Sequence, residues 1–237
     1  MKLLTKTLTA SIFFALSTGA YAQQDKIDEI EAMLQQNPEI IESVYQSIKQ
    51  YQQQRASMNT NMSAIYDSDD HPAFGNLDAA SDQQIVVFTD YNCPYCKRLE
   101  PVLEQLLENY PELKVVNVIV PLRQQQLEGI DTNSAFYAQR VWQEQPAKFK
   151  QVHDLLMAKN GMHSAKSLRQ IASKTNTESL LAPSDTVEAS IRNNYKMFSD
   201  IGLRGTPGTV VGKDIIPGLV PYENLLEVVK ANLQVAE

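Results

Sequence analysis

Residues 88–98 read FTDYNCPYCKR, and this segment decides the fold because it joins a buried strand to a helix. The preceding residues, Ile85-Val86-Val87-Phe88, form a short β-branched and aromatic run that is typical of a buried strand. After Pro94 the apolar residues recur at intervals of three and four, as they do on one face of a helix. These residues are Leu99, Val102, Leu103, Leu106 and Leu107. The pattern predicts a strand, a turn and a helix that starts at the Cys-Pro-Tyr-Cys motif.

The chain has two cysteines, Cys93 and Cys96, and both lie at the N-terminal end of this predicted helix. The unpaired N–H groups there stabilise a thiolate, so the pKa of Cys93 should fall from about 8.5 into the ~3.5–7.5 range of such sites. A thiolate attacks a disulfide, and a second thiol one turn away can resolve the mixed disulfide. We therefore predict a redox-active disulfide in which Cys93 is the catalytic nucleophile and Cys96 the resolving thiol.

Two other interpretations of the motif stay open. A CxxC pair can supply half of a zinc site, but four ligands are needed and His71, His153 and His163 are scattered along the chain. The pair can also be a structural disulfide, although such a short loop constrains little of the unfolded chain. We predict that the site uses neither a metal nor a cofactor, and that the histidines have no chemical role.

Residues 1–22 resemble a secretory signal. Lys2 and Lys6 precede an apolar centre at Leu8–Leu16, and Ala20-Tyr21-Ala22 is a small-x-small cleavage site. The apolar run is too short for a permanent membrane span, so a retained anchor is the weaker alternative. We predict that the chain is exported. Two cysteines are too few for a disulfide scaffold in an oxidising compartment, which favours a reactive pair.

The length, composition and charge of the chain indicate how many domains it can form and which ligands are disfavoured. With 237 residues, 43% of them hydrophobic, the chain can form one domain of ordinary size plus attachments. The formal net charge is −7, and the sequence contains no basic patch. This argues against binding to nucleic acid.

Residues 23–62 are polar and rich in glutamine, with an apolar stripe that repeats every seven residues. One position of the repeat holds Ile27, Leu34, Ile41 and Ile48, and the other holds Ile30, Asn37, Val44 and Tyr51. This is the pattern of a coiled coil, and isoleucine at both positions favours more than two strands. We predict a helical arm that forms a homo-oligomer, with a trimer favoured. The alternative is an amphipathic arm that folds onto its own domain.

The arm also contains a break signal. Asn37 is a candidate N-cap and Pro38 a first helical residue, so a second helix should run from Pro38 to about Gln54. Residues 63–81, with Asn, Ser, Asp, His, Pro and Gly, predict a linker that leads to an edge strand.

The rest of the chain predicts an α/β fold. Leu113–Val120 is a second β-branched strand, which gives a parallel β-α-β unit with the helix after Pro94 as its crossover. Residues 131–200 show the periodicity of about four helices, with breaks at Asn160-Gly161 and Ala182-Pro183-Ser184. Strand residues return after Pro207, and Tyr222–Leu233 reads as a final amphipathic helix.

Together these features resemble the thioredoxin-fold DsbA family, and within it the suppressor-of-copper-sensitivity C (ScsC) and Com1-like proteins. The resemblance rests on Cys93-Pro94-Tyr95-Cys96 after a strand, on the helical insertion, on Gly205-Thr206-Pro207 before the terminal strands, and on Asn37-Pro38-Glu39-Ile40 in the arm. It implies a thioredoxin-like domain over residues 82–237 with a helical insertion, and a periplasmic location.

The resemblance also assigns site residues and a function. It implies that Thr206-Pro207 is a cis-proline loop beside the cysteines, and that substrate is bound by Pro94, Tyr95, Thr206 and Pro207. Threonine before this proline resembles the isomerases DsbC and DsbG, whereas DsbA carries valine. We predict a protein disulfide isomerase or reductase that acts on exported client proteins with cysteines and is reduced by a membrane thiol reductase of the DsbD/ScsB type. A DsbA-like dithiol oxidase and a Cu(I)-binding protein in copper tolerance are the alternatives.

The chain departs from the family at Gly208, where a β-branched residue is commoner, and at a second position before the cysteines. Val87 stands six residues before Cys93, where thioredoxin and DsbA carry a buried acid. The proton of Cys96 must therefore be handled by another group or by water.

Overall fold

The computed structural model describes residues 13–123 and 126–235. Within these residues the chain forms eight α-helices and one sheet of five β-strands. The chain divides into a smaller N-terminal unit that ends at Gln53 and a larger unit that begins at Gln54. Residues 1–12 of the predicted signal sequence lie outside the described residues. None of the helices in the described ranges is long and apolar enough to cross a membrane.

The N-terminal unit is helical, as predicted. It contains α1 (Phe13–Gln36), a 3-10 turn at Pro38–Ile40 and the first part of α2 (Ile41–Tyr66). The break at Asn37 is present, and Asn37 is the N-cap residue of the 3-10 turn that begins at Pro38. The side-chain amide of Asn37 donates to the carbonyl oxygen of Met33, 2.9 Å away, at the end of α1. The predicted N-cap position is therefore confirmed, but the Asn37 side chain makes no capping hydrogen bond, because it satisfies a carbonyl group that the preceding helix leaves free.

The apolar stripe of the arm is solvent-exposed. Five of its side chains are about half exposed: Ile27 (48%), Ile30 (54%), Ile41 (48%), Ile48 (52%) and Tyr51 (62%). Exposed apolar side chains in one row are characteristic of a surface that binds another chain.

Helix α2 runs past its predicted end at Gln54 and reaches Tyr66. Met58, Met62 and Ile65, spaced at four and three residues, are buried in the larger unit, so this segment is a core helix. The predicted linker over 63–81 therefore differs from the structure at its start, where α2 continues to Tyr66, whereas an edge strand is present at Ala73–Gly75 as predicted. The sequence did not predict this part of the helix, because the segment is polar and only three of its side chains are buried in the core.

The five strands are β1 (Ala73–Gly75), β2 (Gln84–Thr89), β3 (Lys114–Ile119), β4 (Gly208–Val211) and β5 (Asp214–Pro217). Their order in the sheet is β1-β3-β2-β4-β5, with β2 at the centre. The pair β2–β3 is parallel, as the β-α-β pattern predicted, and β2–β4 is antiparallel.

The crossover between β2 and β3 is α3 (Pro94–Asn109). The insertion holds four helices, the number that the sequence predicted: α4 (Ser134–Glu144), α5 (Phe149–Ala158), α6 (Ala165–Thr175) and α7 (Asp185–Asp200). The last helix of the described residues is α8 (Tyr222–Asn232). The predicted breaks at Asn160-Gly161 and at 182–184 both fall between helices.

The sheet separates two hydrophobic cores. On one face, Ile85 and Val87 of β2 pack with α3, α8 and the insertion helices α4 to α6. On the other face, Val86 and Phe88 pack with the end of α2 and with residues of α7. Because the side chains of a strand alternate, each face of β2 contributes to one core only. This fixes the end of β2, and hence the cysteine motif, from both sides.

Candidate active site

The cysteine motif occupies the turn between β2 and α3. Cys93 is the N-cap residue of α3, in an extended conformation, and Pro94 is the first helical residue. The N–H of Cys93 donates to the carbonyl oxygen of Asp90 (2.9 Å), which closes the turn. Both cysteines are free thiols. Cys93 is 4% and Cys96 2% exposed, whereas Pro94 and Tyr95 between them are exposed.

The loop before β4 completes the site. The peptide bond between Thr206 and Pro207 is cis, which the family resemblance implied. The Cys93 sulfur lies 3.2 Å from the carbonyl oxygen of Thr206, to which the thiol donates when it is protonated. The structure therefore brings together all six predicted site residues, although they are separated by more than a hundred positions in sequence.

The pKa of Cys93 is lowered to about 5. The largest cause is a hydrogen bond from the Cys96 thiol, and the N–H groups of Cys96 and Tyr95 at the helix start add to it. These donors, with Thr206, outweigh the effect of burial, which acts in the opposite direction. Cys93 is thus a thiolate at neutral pH.

The pKa of Cys96 is shifted in the opposite direction. Burial raises it strongly, and the neighbouring Cys93 sulfur raises it further. Cys96 therefore stays protonated at neutral pH, so the two thiols of one motif have different reactivities.

Lys97 is half-buried beside the motif. Its ammonium group donates to the carbonyl oxygens of Lys159 and Gly161, in the connection between α5 and α6. Burial lowers the pKa of Lys97 to about 8, and the Lys159 ammonium adds to this effect. The sequence placed Lys97 in the first turn of α3, but its contacts with the insertion depend on the tertiary fold.

Two polar residues just before the cysteines hold the turn in place. The Asp90 carboxylate accepts from the N–H of Asn92 (2.8 Å) and from the N–H of Arg123 (2.7 Å). The side-chain oxygen of Asn92 accepts from the N–H of His163 (2.9 Å). Burial raises the pKa of Asp90, although these two N–H groups act against that shift. The motif is therefore tied to the insertion on its polar side.

Three buried side chains, joined by hydrogen bonds, also hold the cysteine motif in place. His153 of α5 donates from Nε2 to Glu100 Oε1 of α3 (2.8 Å), and its Nδ1 lies 2.9 Å from the Tyr91 hydroxyl. All three side chains are buried. The sequence interpretation gave His153 and His163 no chemical role, and in the structure both act as buried anchors. The signal that could have indicated Glu100 is a carboxylate four residues after Cys96, on the apolar face of α3.

Val87, which stands where thioredoxin and DsbA carry a buried acid, lies between two buried polar side chains. Val87 of β2 pairs with Asn117 of β3 and with Thr209 of β4, so the three side chains lie on the same face of the sheet. The amide of Asn117 and the hydroxyl of Thr209 make no hydrogen bond to the described residues. No sequence pattern in one segment could have brought these three residues together.

A metal centre was one of the open interpretations. Within the described residues, no group of three or more histidine, cysteine, aspartate or glutamate side chains is arranged to hold a metal ion.

The family model for a DSBA-like thioredoxin domain matches residues 84–230. The chain belongs to the DsbA family. The match covers the cysteine motif, the helical insertion and the cis-proline loop of this DsbA-family protein. No protein of curated function matches the chain with significance.

Solved structures give the same assignment. Proteus mirabilis ScsC carrying a linker deletion and a point mutation is 32% identical, covers 89% of this chain and 95% of its own, and superposes with a TM-score of 0.71. P. mirabilis ScsC in a compact conformation is 31% identical, with 88% and 96% covered and a TM-score of 0.66. A periplasmic thioredoxin-like protein from Salmonella enterica serovar Typhimurium is 32% identical over 73% of this chain and 96% of its own, with a TM-score of 0.63. This DsbA-family protein is similar to ScsC and is a thiol–disulfide oxidoreductase.

Proposed function

We propose that this DsbA-family protein is an exported protein disulfide isomerase or reductase. The observation that carries the proposal is the opposite shift of the two cysteine pKa values, which gives an attacking thiolate at Cys93 and a protonated, buried thiol at Cys96. The S. enterica relative is described as periplasmic, which supports export to the same compartment.

The reaction begins when the Cys93 thiolate attacks one sulfur of a client disulfide. A mixed disulfide forms between Cys93 and the client, and the other client sulfur leaves as a thiolate. If that thiolate attacks elsewhere in the client and the last client thiolate displaces Cys93, the client is isomerised and Cys93 is regenerated. If Cys96 loses its proton and attacks Cys93, the client is released reduced and a Cys93–Cys96 disulfide remains.

The state of Cys96 selects between these two routes. Because its raised pKa keeps it protonated, its attack on the mixed disulfide is slow. A long-lived mixed disulfide gives the client time to rearrange, which favours isomerisation over reduction.

The surface around Cys93 suits an extended client segment. Pro94 and Tyr95 are exposed beside it, and Thr206 lies in hydrogen-bonding contact with the Cys93 sulfur. A client strand that pairs with the backbone of the cis-proline loop would present its disulfide to Cys93.

The partners follow from this reaction. An isomerase must keep Cys93 reduced, which requires an electron donor such as a membrane thiol reductase of the DsbD/ScsB type. It must also hold a misfolded client near more than one site. The exposed stripe of the arm would provide this by forming a homo-oligomer, with a trimer favoured.

One observation favours a dithiol oxidase instead. A pKa of about 5 stabilises the reduced form of Cys93, and a stabilised reduced form makes the disulfide more oxidising. A quinone-linked partner would then reoxidise the protein.

The test is the reactivation of scrambled ribonuclease by the reduced protein. Cys93→Ala should be inactive, whereas Cys96→Ala should keep most isomerase activity and lose the reduction of insulin, because only reduction needs the resolving thiol. Loss of isomerisation in Cys96→Ala, together with rapid oxidation of dithiol peptides by the wild-type protein, would favour the oxidase. Activity in Cys93→Ala would refute the proposal.

A further inference from the structure

A groove of about 530 Å³ opens beside the cysteine motif. Three segments form it: the first turn of α3, Arg123 after β3, and the connection between α5 and α6. Pro94, which follows the nucleophile directly, is one of the lining residues. A volume of this size falls in the range of binding pockets, so the groove can hold several side chains of a client that is attached to Cys93.

The charges around the groove are all of one sign. Lys97, Arg98 and Arg123 line it, and none of its described lining residues is an aspartate or a glutamate. The nearby acid is Asp90, whose carboxylate is buried and occupied by the N–H groups of Asn92 and Arg123. In a chain with a net charge of −7, this is a local reversal of sign beside the reactive sulfur.

The cations differ in their availability to a ligand. The Lys97 ammonium is tethered to the carbonyl oxygens of Lys159 and Gly161 and contributes a fixed positive charge. Arg98 is exposed, with its guanidinium 5.8 Å from the centre of the Tyr95 ring, and the Arg123 side chain is exposed as well. Guanidinium groups bind carboxylates through two parallel hydrogen bonds, so Arg98 and Arg123 are suited to contact an anionic ligand directly.

The walls of the groove are apolar and adaptable. Met157, Met162 and Pro94 contribute apolar surface. Methionine side chains adjust to different partners, so the walls do not require one particular client sequence.

We propose that this groove binds an acidic stretch of the client close to the client cysteine, and that clients with aspartate or glutamate at such positions are preferred. The inference deepens the proposed function and rests on it. An extended peptide covers about 3.3–3.6 Å per residue, so a carboxylate two to four residues from the cysteine reaches about 7–14 Å from the Cys93 sulfur, the scale of the groove. The desolvated Lys97 adds to the preference, because a neighbouring carboxylate replaces part of its lost hydration.

The test uses three peptide disulfides of one sequence, in which positions two to four residues from the cysteine carry glutamate, glutamine or lysine. The second-order rate constant for reduction by the full-length reduced protein is measured for each at low and high salt. We expect the glutamate peptide to react about tenfold faster than the lysine peptide at low salt, and the ratio to fall toward one at about 0.5 M salt.

Two variants locate the effect. The double variant Arg98→Gln and Arg123→Gln should lower the glutamate-to-lysine ratio to about two or less. Lys174→Gln removes one positive charge at the far end of α6 and should leave the ratio unchanged. Because the ratio compares two peptides on one protein, any change in Cys93 reactivity cancels.

The outcomes separate the two proposals. Equal rates for the three peptides would overturn the groove and leave the oxidoreductase assignment intact. A ratio that survives in the double variant would also overturn it, because the preference would then arise elsewhere on the surface. No reaction with any peptide would contradict the proposed function itself.

Discussion

Cys93 and Cys96 differ because one sits at the start of α3 and the other inside its first turn. The free N–H groups of the helix point at Cys93, whereas Cys96 is buried against the sheet and lies next to a sulfur that carries a negative charge. The hydrogen bond from the Cys96 thiol and the N–H groups of the helix start together make Cys93 a nucleophile. Because Cys96 is poorly ionised, it attacks the mixed disulfide slowly, and this determines how long the mixed disulfide lasts.

The first prediction concerns the pH dependence of Cys93 alkylation. Since its pKa is lowered to about 5, the thiolate persists as the pH falls until it is protonated near that value. The rate of carboxamidomethylation of the reduced native protein, followed by mass spectrometry, should therefore have its midpoint near pH 5 and be level above about pH 7.

The control for this measurement is Cys93→Ser. In that variant the native protein should react little at neutral pH, because Cys96 is buried and protonated. A midpoint near pH 8.5 in the wild-type protein would contradict the arrangement described for the site.

The sequence predicted the reactive residues better than their supports. Cys93 could be assigned because a helix N-terminus is a local feature, visible from the strand before it and the periodicity after it. Asp90 and Asn92 could not, since their partners, Arg123 and His163, lie about 30 and 70 positions away. The same holds for Lys97, whose orientation is set by a connection between two helices of the insertion.

Among the elements, α3 and α5 are joined by a buried hydrogen bond between two polar side chains. Glu100 and His153 lie 2.8 Å apart with almost no solvent exposure, and Tyr91 links them to the turn before the cysteines. A buried pair of this kind contributes little compared with an apolar pair, but the loss of one partner leaves the other unsatisfied.

The second prediction tests this contact. Glu100→Ala should lower the free energy of unfolding by about 3–5 kcal/mol, because it removes the acceptor and leaves His153 buried without it. Glu100→Gln retains the shape and an acceptor oxygen and should cost only about 1–2 kcal/mol. Urea denaturation of the reduced proteins gives both values. Equal losses in the two variants would contradict this explanation, because Glu100→Gln keeps both the shape and an acceptor oxygen and Glu100→Ala keeps neither.

The elements were predicted where the periodicity is strong. The β-α-β unit around the motif and the four helices of the insertion follow from runs of apolar residues with clear spacing. The end of α2 was missed because Met58, Met62 and Ile65 stand in a polar, asparagine- and serine-containing segment. Only the core behind Val86 and Phe88 shows why those three side chains are buried.

At the scale of the molecule, the N-terminal unit presents an apolar stripe that the single chain leaves exposed. The ScsC structure with the linker deletion is similar over 89% of this chain, a share that extends beyond the larger unit into the arm. Self-association through this stripe remains a prediction from the heptad pattern. An isomerase needs it because a single active site cannot hold a misfolded client near a second one.

The third prediction concerns this stripe. In a full-length protein with Ile30→Asp and Ile48→Asp, two carboxylates interrupt the apolar row, and the mass in solution should fall to that of a monomer. Reactivation of scrambled ribonuclease should drop severalfold, while reduction of a small peptide disulfide stays within about twofold. The matched control is Gln50→Asp, on a polar position of α2. An oligomer in the double variant, or a wild-type monomer, would contradict the role proposed for the arm.

Helix α2 also constrains the order in which the protein can fold. Its residue Gln54 donates to the carbonyl oxygen of Ile201, 147 residues further along the chain, and its methionines pack in the same core as Leu203 and Val210. At a synthesis rate of roughly 5–20 residues per second, these partners emerge from the ribosome about 7–30 seconds after the helix. Until then Met58, Met62 and Ile65 cannot be buried in this core, so the packing of α2 onto the sheet is a late step of folding.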